Sequence, residues 1–175
     1  MHNLFMIILK LKQLKHTLIL LFVAIFFSCQ GNDYYNMGVY SAKHDNHKDA
    51  IKYFTKAIEK DANYVDALFN RAMSKQFIND DKGAIIDYSF VIKMDSKDSE
   101  AYMNRGVSKM KLGKRAEAIL DYEMAIKLNP KYTLSYYNLG NAHSLFEIEK
   151  ACENWKKAAI LGHEKSKILI KEYCN

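Results

Sequence analysis

Two histidines and the carboxylates are the first residues to consider as metal ligands or catalytic groups. His44 and His47 are three residues apart, but they fall in a turn between predicted helices, and two histidines alone do not make a metal site. The chain has no grouping of nucleophile, base and acid, no glycine-rich phosphate loop and no clustered carboxylates. We therefore predict no enzymatic activity, no metal site, no cofactor and no small-molecule substrate.

One cysteine, Cys29, follows an apolar run near the N-terminus. Residues 18–27 carry no polar side chain, and Lys10, Lys12 and Lys15 precede them. As a helix this run spans about 15 Å, half of a hydrocarbon core of about 30 Å. That length is typical of the apolar region of a signal peptide and is short for a transmembrane helix.

The end of the run, Phe26-Phe27-Ser28-Cys29, resembles the lipobox of bacterial lipoproteins. The resemblance implies a signal peptide at residues 1–28, a Cys29 that carries acyl chains such as palmitate, and a short tether at residues 29–32. Such chains anchor a protein stably to a membrane. We therefore expect an outer-membrane lipoprotein of the bacterial cell envelope, facing the periplasm or the surface. An ordinary secretory signal and a membrane-anchoring helix are the alternatives.

Composition favours packed helices. The chain of 175 residues has one proline, seven glycines and 49% hydrophobic residues. The formal net charge is +6, but without the three lysines before the apolar run 23 basic residues face 20 acidic ones. So small an excess gives no basic stripe, and nucleic-acid binding is not predicted.

The chain after the apolar run repeats every 34 residues. The blocks are 31–64, 65–98, 99–132 and 133–165, the last one residue shorter. A small residue followed four positions later by a large aromatic recurs in the second half of every block. These pairs are Ala50 and Phe54, Ala84 and Tyr88, Ala118 and Tyr122, and Ala151 and Trp155. The pattern predicts two helices per block that pack closely where the small residue lies.

These residues and this period resemble the tetratricopeptide repeat (TPR) family over residues 33–162. The resemblance implies an all-α fold, a right-handed α-α superhelix of four helix-pair repeats. The fourth block ends in Lys157-Ala158-Ala159-Ile160-Leu161-Gly162, which is similar to Sel1-like repeats. Gly162 suits a left-handed helix end, and a capping helix is predicted at residues 163–175.

In TPR proteins the first helices of successive repeats line a concave groove that binds protein partners. The sixth position of each block is an asparagine, and amides can both donate and accept hydrogen bonds. The fifth position is apolar or amphipathic, and Lys43, Lys111 and Asn141 complete the expected lining. The asparagines are Asn36, Asn70, Asn104 and Asn138, and the fifth-position residues are Tyr35, Phe69, Met103 and Tyr137. Asparagine at the sixth position also stabilises the TPR fold, so a purely structural role is the alternative.

An arginine and an aspartate occur together in two blocks. Arg71 and Arg105 take the seventh position where leucine is typical, and Asp87 and Asp121 follow each of them by sixteen residues. Because a lone arginine on a packing face is costly, we predict structural ion pairs, within a repeat or between neighbours. The alternative is an arginine that faces a ligand.

The last two cysteines lie on either side of the turn at Gly162. Cys152 is ten residues before it and Cys174 is twelve residues after it, so they come level on antiparallel helices. We predict a disulfide between them, as is common outside the reducing cytoplasm. Two buried thiols are the alternative.

Taken together, these patterns predict a membrane-anchored scaffold or adaptor that binds a peptide or helix of a partner protein in the groove. The alternative is a structural or regulatory subunit of a larger envelope complex or enzyme that uses the convex or end surfaces.

Overall fold

The computed structural model describes residues 12–15, 17–18 and 31–174. The predicted lipidation site Cys29 lies outside these residues. The described part consists of helices joined by short turns and contains no strand, and it confirms the all-α fold of helix pairs followed by a C-terminal helix. Within the same residues, none of the helices combines the length and the apolarity needed to cross a membrane.

Each sequence block holds two helices. In chain order the helices are α1 (31–43), α2 (His47–Lys60), α3 (Val65–Phe77), α4 (Asp81–Met94), α5 (Ser99–Lys111), α6 (Arg115–Leu128), α7 (Thr133–His143), α8 (Ile148–Ile160) and α9 (Glu164–Tyr173). We call α1, α3, α5 and α7 the A helices and α2, α4, α6 and α8 the B helices. The chain divides into two compact units, one up to Ala67 and one from Leu68 onward.

The core of the N-terminal unit is built around Phe54. This side chain is fully buried together with Ala50 and Ala57, and burying a phenylalanine contributes about 1.5–3 kcal/mol. Gly38 on α1 faces the ring, and a Cβ atom at that glycine would lie 2.5 Å from Cε1 of Phe54. The glycine therefore lets α1 and α2 approach closely.

The C-terminal unit repeats this arrangement. A Cβ atom at Gly106 would lie 2.6 Å from Cε1 of Tyr122, and one at Gly140 would lie 2.5 Å from Cδ1 of Trp155. Both aromatic side chains are at most 2% exposed. Close packing of a glycine against a large ring thus recurs at the crossing of the A and B helices in the last two repeats.

Polar caps and left-handed residues set the helix ends. The side chain of Asn46 accepts a hydrogen bond from the backbone N–H of Asp49, and that of Asp80 accepts one from Gly83. Gly162 has φ +94° and ends α8, as its position in the sequence predicts. The chain then turns back into α9.

Candidate functional site

The A helices of the C-terminal unit lie side by side. The side-chain amide of Gln76 on α3 donates to the backbone oxygen of Asn104 (2.9 Å) and to Oγ of Ser108 (2.8 Å) on α5. Nδ2 of Asn138 on α7 lies 3.6 Å from Sδ of Met103 on α5. Helices α3, α5 and α7 therefore form one layer.

The sixth-position asparagines of this layer are half-buried. We call the surface formed by Asn70, Asn104 and Asn138 the asparagine face. Within the part of the chain that the structure describes, the side-chain amide of Asn104 has no hydrogen-bond partner. Asn104 therefore presents a polar group on this face that can bind a further molecule. Asn36 occupies the same repeat position in the N-terminal unit and is exposed.

The fifth-position residues lie deeper than predicted. Met103 is only 5% exposed and belongs to the hydrophobic core with Tyr122 and Leu139, so most of its side chain faces the interior of the fold. Successive helix residues point about 100° apart, and the fifth position turns from the asparagine face toward the B helix. Phe69 accordingly packs edge-on against Tyr88 at 5.4 Å between ring centroids.

The other two fifth-position aromatics also contact ring side chains. Tyr35 stacks on Tyr64 with 5.0 Å between centroids, and Tyr137 lies 4.2 Å from the ring of His163. Both are half-buried. Their principal contacts are therefore within the protein, and they contribute to the packing of their own units.

The remaining predicted groove residues differ in their surroundings. Lys43 is exposed at the end of α1. Lys111 is 44% exposed, with its Nζ 3.7 Å from Oδ1 of the buried Asp81. Asn141 is half-buried, and its Oδ1 accepts a hydrogen bond of 3.0 Å from Nε1 of Trp155. Asn141 thus joins α7 to α8.

The arginines pair with aspartates of their own repeat. Arg71 donates two hydrogen bonds of 2.8 Å to Asp87, which is 1% exposed, and Lys75 donates a third of 2.8 Å. The carboxylate is thus compensated by two cations from α3. Lys75 was not found by the sequence reasoning.

The third repeat has the same arrangement. Arg105 donates to both oxygens of Asp121 at 2.7 and 2.9 Å, and Lys109 donates at 2.8 Å. Arg105 also donates to Oγ of Ser89 on α4 at 3.1 Å, so it connects α4, α5 and α6. Lys75 and Lys109 are 34 residues apart, each four after its arginine, and this period was the signal that could have revealed them. Each arginine thus has its carboxylate partner within its own repeat.

The C-terminal cysteines form a disulfide. Cys152 on α8 and Cys174 after α9 are bonded, with 5.6 Å between their Cα atoms. Leu169 and Ile170 of α9 pack against the cluster of Ala151, Cys152 and Trp155. The bridge therefore holds the C-terminal helix on α8.

Two tyrosines of the C-terminal unit, Tyr88 and Tyr132, have raised pKa values. Burial raises the pKa of Tyr88, whose hydroxyl donates to Oε1 of Gln76 at 2.9 Å. Burial and the nearby Glu100 raise the pKa of Tyr132 to about 12. Both phenols remain protonated at neutral pH and act as hydrogen-bonding groups. In residues 12–15, 17–18 and 31–174, no three His, Cys, Asp or Glu side chains are arranged to hold a metal ion.

Comparison with known proteins places this geometry among TPR structures. Residues 99–132, the span of the third block, match the model of the tetratricopeptide repeat family. A crystal structure of MamA protein is similar at 26% identity, with 75% of this chain and 73% of that chain covered and a TM-score of 0.71. MamA 41-end from Desulfovibrio magneticus RS-1 is similar at 20% identity, with 75% of both chains covered and a TM-score of 0.72.

A peptide complex is among the similar structures. The second TPR domain of human RPAP3, in complex with the HSP70 peptide SGPTIEEVD, is 26% identical, with 68% of this chain and 97% of that chain covered and a TM-score of 0.62. No curated protein matches the chain. The repeat match and the peptide-bound structure support a protein–protein interaction scaffold.

Proposed function

We propose that this chain is a scaffold of the bacterial cell envelope that binds an extended peptide or a helix of a partner protein on the asparagine face, and that a lipidated Cys29 anchors it to the membrane. We further propose that it has no catalytic activity of its own. Its partners are proteins, and neither nucleic acid nor a small-molecule substrate is involved.

The observation that carries the peptide-binding proposal is the half-buried amide of Asn104, which lacks a hydrogen-bond partner within the described residues. An amide both donates and accepts, so it can bind the main chain of a peptide whatever its side chains are. Asn70 and Asn138 repeat the group at 34-residue intervals on neighbouring A helices. Successive amides can therefore contact successive stretches of one extended segment.

The charges around this face limit the kind of partner. The TPR proteins that hold a C-terminal carboxylate use lysine, asparagine and arginine at several groove positions, and this chain shares the asparagines. Here the fifth and sixth positions carry neither lysine nor arginine, and Lys111 has the carboxylate of Asp81 beside it. We therefore expect an internal segment of the partner to bind, without the need for a free carboxyl terminus.

A site-specific crosslinking experiment tests the face. The photoreactive residue p-benzoylphenylalanine replaces the exposed Glu100 on α5, one helical turn before Asn104, or, as a control, the exposed Glu123 on α6. We expect a discrete crosslinked product in cell envelopes from position 100 and none of the same mass from position 123. Loss of that product in an Asn70→Ala/Asn138→Ala background, but not in Asn154→Ala, supports the proposal. Asn154 is a half-buried asparagine on the B helix α8, and equal yields in both backgrounds contradict peptide binding by the amides.

The membrane anchor has a separate test. A Cys29→Ser variant is expected to leave the precursor unprocessed and to abolish labelling by an alkyne analogue of palmitate. Incorporation of label into wild-type and Cys29→Ser protein alike, or normal processing of the variant, would contradict lipidation at Cys29.

The alternative function, a subunit that docks through its B helices, is favoured by one observation. Ile86 and Phe90 on α4 are 57% and 49% exposed, and Leu120 on α6 is 66% exposed. Exposed apolar residues on one side of a protein often mark contact surfaces. A crosslinked product from position 123, with none from position 100, would favour this function over peptide binding by the A helices.

A further inference from the structure

A hollow of about 280 Å³ lies at the C-terminal end of the fold, between the end of α7 and the helices α8 and α9. Most of its lining is apolar. The residues around it include Asn141, Leu145, Ile148, Trp155, Leu169 and Tyr173.

The rim of the hollow is exposed and its floor is buried. Leu145 is 72% exposed and Tyr173 is 52% exposed, whereas Trp155 is only 2% exposed. An apolar group that enters the hollow would remove the two rim side chains from water. Burial of such surface is favourable by about 25 cal/mol per Å² in general.

One polar donor also borders the hollow. Trp155 can only donate through its Nε1, so its bond of 3.0 Å requires the oxygen of the Asn141 amide at that point. The Nδ2 group of Asn141 then has no hydrogen-bond acceptor within the described residues. An apolar hollow with a single oriented donor suits a peptide that inserts one side chain and presents one main-chain carbonyl.

The hollow borders the helix that carries Asn138 of the asparagine face. Asn141 follows Asn138 by three residues on α7, and residues three apart lie on the same side of a helix. On the other side the wall is formed by α9, where Tyr173 precedes the disulfide-bonded Cys174.

We propose that this hollow is an anchor site for a bulky aliphatic or aromatic side chain of the bound partner, with Asn141 Nδ2 donating to the main-chain carbonyl beside that side chain. This assignment rests on the proposed peptide-binding function and adds the chemistry of one partner residue to it.

The single tryptophan of the chain reports on the site directly. The full chain, reconstituted in phosphatidylcholine vesicles, is titrated with N-acetyl-phenylalanine amide while the fluorescence of Trp155 is excited at a wavelength that the probe does not absorb. We expect a saturable change with a dissociation constant on the order of 1 mM, as for a ligand of this size. N-acetyl-glycine amide, which lacks the side chain, should give no saturable change.

Variants at the exposed rim test the location without disturbing the core. Leu145→Asp and Tyr173→Ala should each weaken binding of the probe by about tenfold or more, since apolar contacts of this kind contribute 10–200-fold. Ile160→Asp, at an 80% exposed position of α8 outside the hollow, should bind as the wild type does. Equal responses to both probes, no saturation, or unchanged affinity in the two rim variants would each overturn the assignment.

The two proposals fail in different ways. If the substitutions Asn70→Ala/Asn138→Ala abolish partner crosslinking while the probe does not bind, the anchor site is wrong and the peptide-binding function stands. If the probe binds at the hollow while those substitutions leave crosslinking unchanged, the asparagine face is wrong and the hollow is a separate site.

Discussion

At the scale of single residues, two buried carboxylates of the C-terminal unit are each neutralised by two cationic side chains. Asp87 and Asp121 are 1% and 4% exposed, and each accepts hydrogen bonds from an arginine and a lysine of the same repeat. Water is largely excluded from these carboxylates, so the cations are essential to their burial. Their contribution to stability therefore depends on the whole set of three charges.

Asp87→Asn should destabilise the protein by about 2–4 kcal/mol. The substitution leaves Arg71 and Lys75 without their shared negative charge, and their 16% and 17% exposed side chains can regain only part of their hydration. Urea unfolding followed by circular dichroism measures the change. Asp33→Asn, at an exposed position, should change the unfolding free energy by less than about 0.5 kcal/mol. A similar small effect of Asp87→Asn would show that the two cations need no counter-charge.

Gly140→Ala should destabilise the protein by about 1–3 kcal/mol. The new methyl group would lie 2.5 Å from the indole of Trp155 and 3.1 Å from the backbone oxygen of Ala151, and overpacking of this kind costs that amount. The measurement is urea unfolding followed by circular dichroism, which also serves variants that lack Trp155, the single tryptophan of the chain.

The control for that substitution is the double variant Gly140→Ala/Trp155→Leu. A smaller side chain at position 155 removes the steric conflict, so the alanine should then cost little or be favourable, because alanine is the better helix former by about 1 kcal/mol. Equal costs of Gly140→Ala in the two backgrounds would place the origin of the effect elsewhere.

At the scale of helices, the disulfide stabilises a C-terminal helix that buries little of its own surface. Helix α9 has ten residues and only Ser166 among them is buried, so its own packing is modest. The bridge joins two cysteines 22 residues apart. Constraining a loop of that length stabilises a fold by about 3 kcal/mol.

Removing the bridge with Cys152→Ala/Cys174→Ala should therefore lower the unfolding free energy by about 3 kcal/mol. A reducing agent should have the same effect on the wild type and none on the variant. Cys29→Ser serves as the control and should leave both the unfolding free energy and its response to the reducing agent unchanged. A wild type that is insensitive to reduction would show that α9 is held by its apolar contacts alone.

The outer side of α4 can be compared with the equivalent side of α2. Ile86, Phe90 and Met94 occupy the offsets that Lys52, Lys56 and Lys60 occupy one repeat earlier. Because Ile86 and Phe90 are about half exposed, Ile86→Lys and Phe90→Lys should each change the unfolding free energy by less than about 0.5 kcal/mol. Thermal unfolding measures this, with the buried Ile92→Lys as the contrasting variant. A loss of more than 1 kcal/mol at the exposed positions would mean that they contribute to the core.

At the scale of the whole molecule, the 34-residue period was sufficient to predict the helix pairs. Small residues and aromatic rings recur at fixed offsets, as Ala118 and Tyr122 do. Their contact depends only on the geometry of two crossing helices, so it can be predicted from the sequence. The directions and hydrogen-bond partners of individual side chains were harder to predict. The direction of Met103 depends on the rotation of α5 within its layer, and the bond between Trp155 and Asn141 depends on how α7 meets α8. These features arise from packing between helices, which the period alone does not specify.

Cooperation between neighbouring helices leads to the last prediction. In stacked helix pairs, stability is mostly a sum of contacts between neighbours, so a local change spreads first to the helices in direct contact. Arg105 bonds to Asp121 on α6 and to Ser89 on α4.

Asp121→Asn should therefore accelerate amide hydrogen exchange in α4, α5 and α6 by about tenfold or more, since each 1.4 kcal/mol of lost local stability corresponds to a factor of ten. Exchange in α9, which packs on α8 and is bridged to it, should stay within about twofold of the wild type. Ser89→Ala, which removes the bond from Arg105 to α4 and the bond from Ser89 Oγ to the backbone oxygen of Ile85 within α4, should accelerate exchange chiefly in α4 and α5. Equal acceleration along the whole C-terminal unit in both variants would show that this unit opens as one cooperative body.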